Sequence, residues 1–218
     1  GEKGIIIFSL KYRLHQSGDC EIVLLDITGG AAPNMVPDRA RAVLRVKDTE
    51  LFRKTFNKYK LEKNTPVFLS EEDGKMVVKA EGVSAHGSTP EKGENAITHL
   101  MGFLGYVYSG GCSMCSFINF YNDKLAGKHH GESIGCDFED EVSGRLNFNI
   151  GIIELRDSEI ILTLNVRYPI KSSAEEVYNG IRDNLKGTPI ELVKGISDSK
   201  PLRSEERRVG KECRYRWS

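Results

Sequence analysis

Apolar and polar positions alternate along residues 5–14 (IIIFSLKYRL) and 20–28 (CEIVLLDIT), and both runs are rich in β-branched side chains. That period predicts two strands, joined by a turn around Ser17, Gly18 and Asp19. A glycine pair and two prolines in 29–38 (GGAAPNMVPD) forbid regular pairing and predict a loop. A short strand over 40–46 follows. Phe52, Phe56 and Tyr59 then recur at helical spacing, predicting a helix over 49–63 that Asp48 can cap. Residues 67–70 and 75–81 predict a hairpin around Asp73-Gly74.

Residues 82–90 (GVSAHGSTP) form a second polar loop, in which Ser88 or Thr89 can cap a helix carrying Pro90 in its first turn. Ile97, Leu100, Met101, Leu104 and Tyr108 recur on that helix's inner face, and Gly110-Gly111 ends it. A further helix is expected to about residue 122, a polar loop over 125–144, and a hairpin from 146–155 and 159–168. A helix over 173–186 and a strand over 189–193 complete the pattern. From residue 75 the order is strand, helix, strand, strand, helix, strand, with one helix inserted, which is a ferredoxin-like layout. The predicted fold is α+β: antiparallel sheets with helices packed on one face, in two lobes. The first lobe is expected over 1–74 and the second, ferredoxin-like lobe over 75–202.

Composition adds exclusions. Apolar residues make up 39% and charged residues 28%, as in ordinary globular proteins. No apolar run approaches a bilayer span, and residues 1–3 (GEK) lead straight into strand sequence, so neither a membrane span nor a secretory leader is expected. Lys plus Arg equal Asp plus Glu at 31 each. Residues 203–218 (RSEERRVGKECRYRWS), however, hold six basic and three acidic side chains, leaving 25 basic and 28 acidic in the body. A body at net −3 gives no support to a nucleic-acid partner. The segment 203–218 lacks either periodicity and resembles the translation of a common sequencing-adapter oligonucleotide. It is treated as a foreign or disordered tail and set aside from the fold. Cys112 and Cys115 have a CxxC spacing, but they sit in an apolar helical stretch without a second ligand pair, so buried thiols in a reducing, cytoplasmic setting are expected.

Three segments carry candidate chemistry. Asn34 stands between two prolines, which hold it out as a preset donor and acceptor, although an Asx-turn is the simpler account of it. His86 lies among small residues ahead of a helix start, where its N–H could donate to a carbonyl oxygen becoming an oxyanion; a capping or surface histidine is the equal alternative. Arg167 (LNVRYP) emerges at a strand end, where a guanidinium can grip a carboxylate through two hydrogen bonds. A solvated edge charge is the commoner role for a single arginine. Glu139-Asp140-Glu141 reads as a solvated loop, and His15, His99, His129 and His130 lack companions. No HxD, HExxH or GxSxG motif and no phosphate-cradling loop is present, so nothing in the chain activates water or a nucleophile.

Taken in order and spacing, GGAAPNMVPDRA, GVSAHGSTPEKGENAI, EDEVSGRLNFNIGIIE and LNVRYP resemble the lid domain of PepV-type dipeptidases, members of the M20 metallopeptidase family. The resemblance covers nearly all of residues 1–202. It implies the two-lobed, substrate-covering lid of an enzyme that hydrolyses dipeptides to free amino acids in the cytoplasm. It also implies a catalytic domain on the same polypeptide, holding two divalent metal ions, zinc or manganese, and a monomeric parent.

By the same resemblance His86 stabilises the tetrahedral intermediate, while Asn34 and Arg167 hold substrate, Arg167 at its C-terminal carboxylate. The family's metal ligands lie before and after the lid. This chain is therefore expected to bind no metal, to be a fragment, and to be inactive alone. A lid of an M20 deacylase or desuccinylase and a stand-alone α+β binding or dimerisation module are the competing expectations.

Overall fold

The computed structural model describes residues 2–16, 19–108 and 113–202. The Ser17-Gly18 turn, the Gly110-Gly111 stop, Cys112 and residues 203–218 lie outside the described residues. The alternating runs form β1 (Gly4–Arg13) and β2 (Ile22–Gly29), followed by β3 (Arg39–Val46). The aromatic-faced segment is α1 (Thr49–Lys63), and Asp48 caps it by accepting the Leu51 N–H at 2.8 Å. A hairpin of β4 (Val67–Glu72) and β5 (Lys75–Glu81) leads on to α2 (Ala96–Val107) and α3 (Ser113–Phe120). A two-residue pair, β6 (Glu139–Asp140) and β7 (Gly144–Arg145), precedes the long hairpin β8 (Asn147–Arg156) and β9 (Glu159–Tyr168). Helix α4 (Ala174–Leu185), with a Ser173–Glu176 capping box, and β10 (Ile190–Ser199) follow.

The long strands make one antiparallel sheet in the order β10-β1-β9-β8-β2-β3-β5-β4. Its helix-facing side chains are the apolar members of each alternation. Phe8 of β1 meets Tyr178 of α4 at 5.6 Å between ring centroids, and Tyr12 meets Phe117 of α3 at 5.4 Å. Phe103 of α2 is ringed by Phe52, Phe56 and Tyr59 of α1 at 5.8, 5.3 and 5.1 Å. All but the tilted Tyr12–Phe117 pair are edge-to-face, and aromatic pairs of this kind add about 0.5–1.5 kcal/mol each beyond the area they bury. The α+β class with helices on one face is as the periodicity predicts.

The strand order adds what the element order does not carry. The two expected sheets are two halves of one sheet, joined where β2 meets β8 through only two register pairs, Thr28–Glu154 and Gly29–Ile153. The chain also does not fill these halves in sequence order. The first strand lies between β9 and β10, while β5 lies between β3 and β4. A division at 74/75 therefore falls in the turn of the β4–β5 hairpin. Long-range strand pairing outweighs the local order of elements.

Candidate functional site

The loop after β2 and the loop after β5 meet. Met35 bridges His86, the Val36 N–H donates to the Ala85 carbonyl at 2.8 Å, and the Gly87 N–H donates to the Asn34 carbonyl at 2.7 Å. Two segments that are irregular by composition thus satisfy each other's backbone, which is how proline-broken loops avoid orphaned polar groups. Asn34 and His86, 52 positions apart in sequence, become neighbours with exposed side chains.

The His86 ring is oriented by Ser88. Its Nδ1 lies 2.7 Å from the Ser88 Oγ and receives the Ser88 backbone N–H at 3.3 Å. A backbone N–H can only donate, so this contact uses Nδ1 as an acceptor and favours the tautomer with its proton on Nε2. Nε2–H is thereby left as a donor toward an incoming oxygen.

Behind these loops, β8 and β9 present polar side chains on the face opposite the helices. Asn149 is directly opposite Asn165, and Asn147 directly opposite Arg167. The three asparagines are 9%, 1% and 1% exposed at positions 147, 149 and 165. Asn149 Nδ2 donates to the Pro33 carbonyl at 2.8 Å and to the Met35 carbonyl at 2.9 Å. Those two carbonyls flank Asn34, so the loop pair is tied to the strand beside the one that carries Arg167.

Arg167 is half-buried, and its Nε–H is buried without a hydrogen-bond partner among the described residues. Burial lowers its pKa, but from so high an ordinary value that the guanidinium stays charged. Lys3 stands close by, donating Nζ to the Asn147 Oδ1 at 2.6 Å and to the Arg145 carbonyl at 2.5 Å. Its pKa is lowered first by burial, with the Arg167 charge adding in the same direction and Asp140 opposing. The result is a partly desolvated cationic patch with an unmet donor, suited to a carboxylate.

All three sequence-derived candidates thus belong to one region: Asn34 and His86 in contact through their backbones, Arg167 one strand beyond Asn149. Two local expectations are corrected. Neither Ser88 nor Thr89 caps a long helix. Pro90–Lys92 is a single tight turn, Val83 and Glu94 pair to extend the chain, and the helix starts six residues after Pro90 under Asn95, whose Oδ1 accepts the Ile97 and Thr98 N–H groups at 2.9 and 3.4 Å. No helix N-terminus therefore backs His86.

The acidic run is not wholly solvated either. Asp140 is buried, accepts N–H bonds from Val142, Ser143 and Lys171 and the Ser143 hydroxyl, and these bonds hold its pKa far below the usual carboxylate range. It pins the loop to the segment that follows Arg167. Sequence reasoning passed over the asparagines as well; the signal was an amide at alternate positions within otherwise aliphatic strands, NFNIGII and LNVRY. Among the described residues no group of three or more His, Cys, Asp or Glu side chains is placed to hold a metal ion.

Residues 74–189, just over half of the chain, match the family model described as peptidase dimerisation domain of the M20 group. The chain belongs to that family. The protein named "Putative dipeptidase YtjP" of Bacillus subtilis is 30% identical over 203 residues, covering 92% of this chain and 42% of the relative. One named "Putative dipeptidase SAB1611c" of Staphylococcus aureus is 33% identical over 173 residues, covering 78% and 37%. The chain thus spans about two fifths of the length of these relatives. Among solved structures, aminoacylhistidine dipeptidase from Vibrio alginolyticus aligns over 94% of this chain and 46% of its own, at 13% identity and a TM-score of 0.38. The expectation of a monomeric parent finds no support in a family described by dimerisation.

Proposed function

We propose that this chain is the substrate-covering lid of a longer, cytoplasmic, metal-dependent dipeptidase. The observation that carries the reading is the pairing of the two loops at Met35 and His86, which brings an imidazole oriented by Ser88 beside Asn34. His86 donates Nε2–H to the oxygen of the scissile carbonyl as that oxygen gains charge, a contact made fully only in the transition state. Arg167 receives the C-terminal carboxylate, and the exposed Asn34 amide holds the substrate backbone beside His86. Held together, these groups orient a dipeptide and stabilise developing charge.

Two zinc or manganese ions would supply the activated water. The described residues do not fit them, since they contain no cluster of ligands, so the ions belong to the rest of the longer polypeptide and no step here runs through them. The test is His86→Ala in the longer enzyme. Turnover of a free dipeptide should fall by about 10²–10³ with the melting temperature unchanged, because the side chain is exposed. Turnover within threefold of wild type would overturn the reading.

A second reading, a self-associating module, is favoured by the family's description. Sedimentation velocity on the chain over a hundredfold concentration range tests it, with a concentration-dependent dimer as the expected result.

A further inference from the structure

We propose that Asn149 is the positioning residue of this site: one buried amide that sets the distance between the Asn34–His86 loops and the Arg167 grip. The inference rests on the lid reading for its functional meaning, although its geometry does not.

The argument starts where the sheet parts. Strand β2 leaves β8 after the Gly29–Ile153 pair, and the chain turns away at Gly30 into the proline-containing loop. Pro33 and Pro37 lack N–H groups, so this loop cannot continue the ladder along β8. Its carbonyls need donors from elsewhere. A primary amide offers two N–H groups on one nitrogen, and at Asn149 both are used, one on each carbonyl flanking Asn34.

Neighbouring features serve the same approach. Gly151, two residues along β8, has no side chain where a Cβ would collide with the Pro33 backbone. From the other side of the junction, Asn95 Nδ2 donates to the Ile150 carbonyl at 2.9 Å, fixing the start of α2 to the same stretch of β8. The Ala96 N–H holds the far end of the Asn34 loop at the Pro37 carbonyl, 2.9 Å away, while the Asn149 amide holds the two carbonyls that flank Asn34 itself and, through the Met35 bridge, bears on His86. Because Asn149 faces Asn165, two positions before Arg167 on β9, it ties the oxyanion donor to the carboxylate grip by a short, rigid path. Catalytic groups must sit within about 0.5 Å of their working positions, so a loose tie costs rate more than fold.

The first test uses the chain itself and needs no activity. Asn149→Ala and the similarly sized Asn149→Leu are compared with wild type by amide hydrogen exchange. Faster exchange, by tenfold or more, is expected at Val36 and Gly87, whose N–H groups close the loop pair, with Leu162 and Leu164 in β9 unchanged. Equal acceleration everywhere, or full protection in Asn149→Leu, would show a packing role and overturn the proposal.

The second test is a double-mutant cycle in the longer enzyme. Asn149→Leu should lower kcat about tenfold in wild type and leave it unchanged in a His86→Ala background. The same loss in both backgrounds overturns the positioning role. A His86→Ala enzyme with undiminished turnover would instead bring down the lid reading, leaving the exchange result to judge Asn149.

Discussion

Arg167 pairs a charge that cannot be given up with a buried donor that nothing in the described chain meets. A buried unpaired N–H is costly, so its retention points to a ligand that completes it. In the longer enzyme Arg167→Ala should raise KM about 10- to 100-fold for dipeptides with a free carboxylate and leave amidated analogues unaffected, since charge-assisted hydrogen bonds contribute about 1.5–3 kcal/mol. Equal KM changes for both substrate types would reject the grip. Asp140 acts on stability instead. Its folded pKa lies below the unfolded value of about 3.9, so its contribution is complete above that pH and fades as pH falls toward the folded pKa. Asp140→Asn should therefore melt below wild type at pH 7, and the gap should narrow progressively below about pH 4. A pH-independent gap in melting temperature would remove the charge from the account.

Among the elements, α1 was the most legible, and α2 was legible in its inner face but not in its start. The Phe52, Phe56, Tyr59 spacing and the Asp48 cap place α1 at the predicted bounds, because propensity, capping and burial all act within fifteen residues. Asp48→Ala should cost about 0.5–2 kcal/mol by urea denaturation. The strand ladders were legible in part. Alternation marks β1 and β9, yet it cannot say that Ile5 lies opposite Arg167. The loops were the least legible: nothing in GGAAPNMVPD alone reports that two of its carbonyls are met by an asparagine 116 and 114 positions away. Gly151 shows the consequence. Gly151→Ala would push a methyl group into the Pro33 backbone and should destabilise the chain by about 1–3 kcal/mol, with the largest exchange changes at the 30–36 loop. A neutral substitution would mean that the loop sits less tightly than described.

At the scale of the whole molecule, the junction between β2 and β8 is narrow, and the candidate site lies beside it. In the proposed reading the chain supplies a donor, a grip and an orienting amide, and its described residues hold no group of three or more metal-ligating side chains. Added alone to Ala-Ala or β-Ala-His with Zn²⁺ or Mn²⁺, it should release no free amino acid above a metal-only control by chromatography. Metal-dependent turnover by the pure chain would show that the catalytic machinery is present here after all.

Local chemistry set the element types, the one-faced helical cover and the three candidate residues, because period, capping and side-chain valence act over a few positions. Tertiary structure alone decided that two halves share one sheet, that the Asn34 and His86 loops close on each other, and that Asn149 and Asp140 are interior. Those outcomes depend on which distant backbone groups find partners once water is excluded, and no local window of sequence contains both partners.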